Sequence, residues 1–225
     1  MASQIPVILP MTELRSKIPR RIGVLLSAES LWEIVFTFHQ IDLNGFMRLP
    51  IIYEQADSDI KPDGRRKAFF EMLSKIEIAK TDEVKPGSLQ ALIITVGQNE
   101  FNQLSNFQEA GEAFGVNQGW RAFLRAAYRR GMPIGAFGYA VPMLVKSIQG
   151  ITKTGPVVTV GNNPILQTGI EAAGAQAVIT RPTEVLIDET NNLITSGGMM
   201  STNRPTEVAQ DCENMFKAIL ELIKG

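Results

Sequence analysis

The chain has one cysteine and one histidine among its 225 residues, Cys212 and His39. That shortage limits covalent chemistry at once. A Cys–His or Ser–His–Asp set needs His39, which falls mid-way along a helical pattern and more than a turn and a half beyond the carboxylate of Glu33. Cys212 lies on the inward stripe of the last helical pattern, where a free thiol acts as a small apolar filler. No His, Cys and carboxylate cluster stands at metal-ligand spacing, so no metal or other cofactor is expected. The stretch shaped like a reactive site is Met132 to Lys146, a buried strand, a sharp turn and a helix. In many α/β enzymes that turn is the nucleophile elbow, which presents a Ser or Cys in a strained backbone pose. The residue at this turn is Gly138, between Phe137 and Tyr139, and none of the three is a thiol or a short-stemmed alcohol. Tyr139 is placed to fill the pocket beside the turn or to hydrogen-bond within it. Glu33 is open to two readings. It is the fourth residue of a Ser30-x-x-Glu33 capping box, and it is a carboxylate available as a general base.

The elements that must position these residues follow from the hydrophobic pattern. Arg21 to Leu26 is an apolar run of strand length, as in a central parallel strand covered on both faces. A helix is expected from Leu31 to Leu43, ended by Asn44-Gly45, and then a strand from Leu49 to Tyr53. A polar loop spans 55–64. Arg65 to Lys80 reads as an amphipathic helix with Phe69, Met72, Leu73 and Ile76 on one stripe. Leu89 to Val96 is a strand, and Gln98 to Phe107 reads as a polar loop. Gln118 to Arg130 is a helix with Trp120, Phe123, Leu124 and Ala127 inward and Arg121, Arg125 and Arg129 outward. Strands follow at Val157–Val160 and Ala177–Thr180, separated by a helix from Pro164 to Ala173. A strand pair turns at Asn191-Asn192, and Pro205 opens the last helix. Gly155-Pro156, Gly161-Asn162-Asn163 and Gly197-Gly198 read as turns, not phosphate loops. Strands alternating with helices at short spacing give an α/β fold, a three-layer α/β/α sandwich of flavodoxin-like form around a mainly parallel sheet.

Composition bounds the function classes. With 44% hydrophobic residues the chain can bury a large core, and 22 basic against 23 acidic residues exert no pull toward nucleic acid or an anionic membrane. No apolar run approaches the ~20 residues of a membrane span. The lone cysteine excludes an intramolecular disulfide and points to a reducing compartment, cytoplasmic or the interior of an organelle, and the N-terminus lacks the pattern of a secretory signal. Residues 1–20 read as an extension, since Pro6, Pro10 and Pro19 forbid a continuous helix, and residues 21–225 read as one domain. The extension is expected to lie on the surface as an arm. A contact between subunits is the sharper reading, because Ile5, Val7, Ile8 and Leu9 need burial.

The order of these elements, with several short stretches, resembles the PfpI/class I glutamine amidotransferase-like superfamily. Within it, the chain looks most like the ElbB family of isoprenoid-biosynthesis-associated, glyoxalase-like proteins. The stretches that carry the resemblance include Ile22-Gly23-Val24-Leu25-Leu26-Ser27, Leu104-Ser105-Asn106-Phe107, Pro142-Met143-Leu144, Glu171-Ala172-Ala173-Gly174-Ala175 and the hairpin Asp188 to Thr195. The resemblance places the family's nucleophilic cysteine on Gly138, its acid on Glu33 and its Gly-Gly oxyanion turn on Gly97-Gln98. With Tyr139 these form a degenerate ancestral site. The resemblance thus implies a catalytically inactive ElbB-like pseudoenzyme acting as a structural or protein-interaction subunit, homo-oligomeric and most simply a dimer. Two further expectations stand beside it. One is a glyoxalase-type or hydro-lyase enzyme using Glu33 without a thiol, and the other is a small-molecule binding protein using the vacated pocket.

Overall fold

The computed structural model describes residues 20–53, 71, 73 and 75–224. The extension expected over residues 1–20 lies outside them except for Arg20, as does half of the helix expected at Arg65 to Lys80. The elements run β1 (Arg21–Leu25), α1 (Leu31–Leu43), β2 (Met47–Ile52), β3 (Ala79–Lys80), β4 (Ala91–Ile94), α2 (Gln98–Leu104), α3 (Phe107–Ala110) and α4 (Gln118–Arg129). They continue β5 (Ile134–Phe137), α5 (Ala140–Ile148), β6 (Val157–Val158), α6 (Pro164–Ala172), β7 (Gln176–Ala177), β8 (Leu186–Asp188), β9 (Leu193–Ser196) and α7 (Pro205–Lys224).

The main sheet has the order β3-β2-β1-β4-β5-β9-β8, parallel throughout except for the β8–β9 hairpin. Strands β6 and β7 pair with each other, apart from it. Period-2 alternation sends successive β4 side chains to opposite faces. Leu92 and Ile94 join the core under α4, α5 and α6, which supply Trp120, Leu124, Leu144 and Ile170. Ala91 and Ile93 join the core under α1 and α7, with Ile34, Phe38, Phe216 and Ile219. The molecule is therefore a three-layer α/β/α sandwich around a mostly parallel sheet, as the alternation of elements implied.

Three local expectations are corrected. The polar loop expected at Gln98 to Phe107 is mostly helical, with α2 burying Phe101 and Leu104 and α3 beginning at Phe107. The helix expected to run to Lys80 has ended by Ala79, where β3 pairs with Ile51 and Ile52 of β2. There the apolar residues Ile76 and Ile78 already follow a period of two, which the helical stripe through Leu73 obscured. The capping box at Ser30 does not form. The Ser30 side chain makes no cap hydrogen bond; it hydrogen-bonds the buried Glu33 carboxyl group instead.

Candidate functional site

The sheet order reverses between β1 and β4, one chain segment winding outward through β2 and the other through β5. In open parallel sheets the crevice beyond the carboxyl ends of such strands is where ligands bind. Here that edge carries Ser27, Glu29 and Glu33 after β1, Gly97 to Glu100 after β4, Gly138 and Tyr139 after β5, and Gly197 to Met200 after β9.

The elbow is formed. β5 ends at Phe137, Gly138 turns the chain with φ +50°, and α5 begins two residues on. That φ suits glycine and strains any other residue. A Cβ on Gly138 would stand 3.1 Å from Met200 Sδ and 3.3 Å from the Gly197 carbonyl oxygen. The thioether of Met200 thus lies over the position from which an elbow side chain would project. The same turn carries Met199, whose backbone N–H donates to Glu33 Oε1 at 2.8 Å. Glu33 presses so closely on Gly198 (φ +52°) that a Cβ there would collide with the carboxyl group. The 197–200 turn is therefore the bridge that brings Glu33 and Gly138 into one cluster.

The β4 side of the crevice is closed by its own contacts. The Gly97 N–H donates to Ser27 Oγ at 2.8 Å, so it is already engaged. The Glu29 carboxylate lies against Gly97 and accepts from the Asn99 N–H at 2.9 Å and from the Asn99 side-chain amide. A fixed carboxylate there repels an anion where the oxyanion turn was expected. Gln98 is exposed at the start of α2. Tyr139 is half-buried, with its ring 5.4 Å from that of Phe101 on α2.

Three carboxyl groups here are held well above their ordinary range. Burial pushes Glu33 up to about 7, against the opposing hydrogen bonds from Met199 and Ser30. Burial likewise raises Glu100 to about 7, although Ser27 and the Ala28 N–H favour its ionised form. Asp211 on α7 rises to about 6 for the same reason, opposed by hydrogen bonds from Ser196 and Gly198. Burial also lifts the Cys212 thiol well above its usual value, helped by the Glu33 charge, and its Sγ contacts the Glu33 carbonyl oxygen at 3.6 Å. Cys212 is therefore a protonated core side chain. Tyr139 is raised by burial first and Glu29 second, which keeps its phenol neutral. His39 is exposed on α1. Among the described residues no three His, Cys, Asp or Glu side chains come together as a metal site, and no helix is long and apolar enough to cross a membrane.

Of the residues singled out in the sequence, Glu33 and Gly138 meet through the 197–200 turn, and Gly97 and Tyr139 meet through Glu29 and Phe101. Sequence reading missed Glu29, Glu100, Asp211 and Met200. Glu100 carried a signal, since it shares an inward face with Phe101 and Leu104. Met200 carried none, because only the fold brings it over Gly138.

No family model matches the chain. Solved structures with the same fold include an isoprenoid biosynthesis protein with an amidotransferase-like domain from Ehrlichia chaffeensis. It aligns with a TM-score of 0.73 and 13% identity over 89% of this chain and 99% of that one. Rapid Encystment Protein 24 kDa from Francisella tularensis aligns at 0.58 and 13% over 90% and 98%. Drosophila melanogaster DJ-1beta aligns at 0.54 and 16% over 92% and 97%. The chain has the DJ-1/PfpI, amidotransferase-like fold.

Proposed function

We propose that this chain is a catalytically inactive ElbB-like protein, one domain over residues 21–225, that serves as a structural or interaction subunit. One observation carries the reading. The elbow is built in full, yet Gly138 stands at its apex with the Met200 thioether lying over it. A covalent mechanism needs a nucleophile and a site for the anion it generates. The engaged Gly97 N–H and the Glu29 carboxylate oppose the second requirement as well. Cys212, the one thiol, is buried and protonated on the far side of Glu33.

The raised Glu33 supports a second reading. A carboxyl group near 7 is poised for general acid–base work, as in a glyoxalase or hydro-lyase without a thiol. Its burial and its hydrogen bond to Met199 weigh against contact with a substrate. Sedimentation of the pure chain, run beside an assay of methylglyoxal loss, separates the two readings. The proposal expects a self-associating protein without turnover. A monomer that turns over the carbonyl compound contradicts it.

A further inference from the structure

The 197–200 turn is tied down by two carboxyl groups, one from α1 and one from α7. From α1, Glu33 Oε1 accepts from the Met199 N–H at 2.8 Å, and the same carboxyl group presses on Gly198. From α7, Asp211 Oδ2 accepts from the Ser196 hydroxyl, and Ser196 Oγ in turn accepts from the Gly198 N–H at 3.0 Å. Two consecutive N–H groups of the turn are thus engaged, one by Glu33 directly and one by Asp211 through Ser196. The bonds from the Met200 N–H to the Gly197 carbonyl and from the Ser201 N–H to the Gly198 carbonyl are internal to the turn. Helices α1 and α7 are fixed by apolar packing, with Ile34 and Phe38 in one core with Phe216 and Ile219. The turn is held more lightly and faces solvent, with Met199 37% exposed and Met200 half-buried.

Both carboxyl groups are buried, Glu33 at 4% exposure and Asp211 at 2%. Asp211 Oδ1 has no hydrogen-bond partner. Among the described residues neither group joins an ion pair. The titratable groups that face them across the layer are each other and the Cys212 thiol. Other charges on the two helices are engaged elsewhere or exposed. Glu207 pairs with Arg204, Glu213 with Lys217 and Asp42 with Arg48, and His39 is exposed. A buried carboxyl group with an orphaned oxygen is tolerated as the neutral acid and costly as the anion. Two anions beside one turn, with no cation between them, add repulsion to that cost.

We infer that Glu33 and Asp211 form a proton-dependent clasp. With at least one of them protonated, the 197–200 turn stays closed over Gly138. With both ionised it lifts, admits water to the carboxylates and uncovers the elbow. The sign follows from burial. The closed turn holds protons that solvated carboxylates release, so opening gains as pH rises from about 6 to about 7, where burial places the two groups. The clasp stands apart from the question of catalysis, since it closes the elbow of an active chain and of an inactive one alike. The test is solvent access to methionine methyl groups in the full chain, read as broadening of their carbon-13 signals by a soluble gadolinium chelate at pH 5 and pH 8. Single substitutions Met143→Leu, Met199→Leu and Met200→Leu assign the signals. Broadening at Met200 should rise severalfold at the higher pH, while Met143, buried on α5, stays sharp and reports an intact fold. Glu33→Gln with Asp211→Asn keeps the hydrogen-bond acceptors and removes both charges, so Met200 should stay shielded at both pH values. Either single variant should also keep it shielded, and serves where the double variant does not fold. Equal broadening of wild-type Met200 at the two pH values overturns the inference. So does a rise that survives in the neutral variants, or one shared by Met143, which would assign it to unfolding of the whole chain.

Discussion

Glu33, Glu100 and Asp211 each put a carboxyl group where its ionised form is disfavoured. The folded state therefore holds their protons to higher pH than the unfolded chain does. Stability contributed in this way is complete below the ordinary carboxylate range and is lost as pH rises toward 7. The midpoint of thermal unfolding should fall between pH 5 and pH 7.5. Glu33→Gln should flatten that slope and raise stability at the upper end by on the order of 1–3 kcal/mol. A midpoint that climbs over this range in the wild-type chain would contradict the assignment. Gly198→Ala tests the same contact from the other side. It forces a Cβ into the Glu33 carboxyl group at φ +52°, so a loss of about 1–3 kcal/mol in a denaturant titration is expected. Cys212 should resist iodoacetamide in the folded protein and react once denatured, because its thiol is buried and protonated.

At the scale of the element, α4 shows what short-range pattern can fix. Asn117 accepts from the Gly119 and Trp120 N–H groups and so caps the helix, and the residues expected inward are buried. Asn117→Ala should cost about 1–2 kcal/mol, read as a shift of the denaturation midpoint. Strands β1, β2, β4, β5, β8 and β9 and helices α1, α5 and α7 were legible for the same reason, since hydrophobic period, glycine stops and an N1 proline are local signals. Strand β3 fell inside an expected helix, and β7 ends at Ala177, where a strand to Thr180 was expected. Helix α2 was not legible. Its first-turn N–H at Asn99 is satisfied by Glu29, 70 residues earlier, and its polar residues hid the inward Phe101 and Leu104. The capping box failed in the opposite sense. A sound local motif gave way to a tertiary bond, from Glu33 to Met199 across 166 residues.

On the scale of the whole molecule, the sheet edge gathers four connections into one place, and each brings something that closes the site. β1 leads to Glu29 against Gly97, β4 to the engaged Gly97 N–H, β5 to Gly138, and β9 to Met200 above it. The fold and the position of the elbow could be read from the sequence. The closure could not, because it depends on Glu29 and Met200, which have meaning only where distant loops meet. The central claim of the proposal is that this site is catalytically inactive. Its most direct test is methylglyoxal consumption by the pure wild-type chain, with Gly138→Cys and Glu33→Gln in parallel. The wild-type chain should consume no more than buffer, and Glu33→Gln should leave that unchanged. Wild-type turnover that disappears in Glu33→Gln would contradict the claim and identify a thiol-independent enzyme.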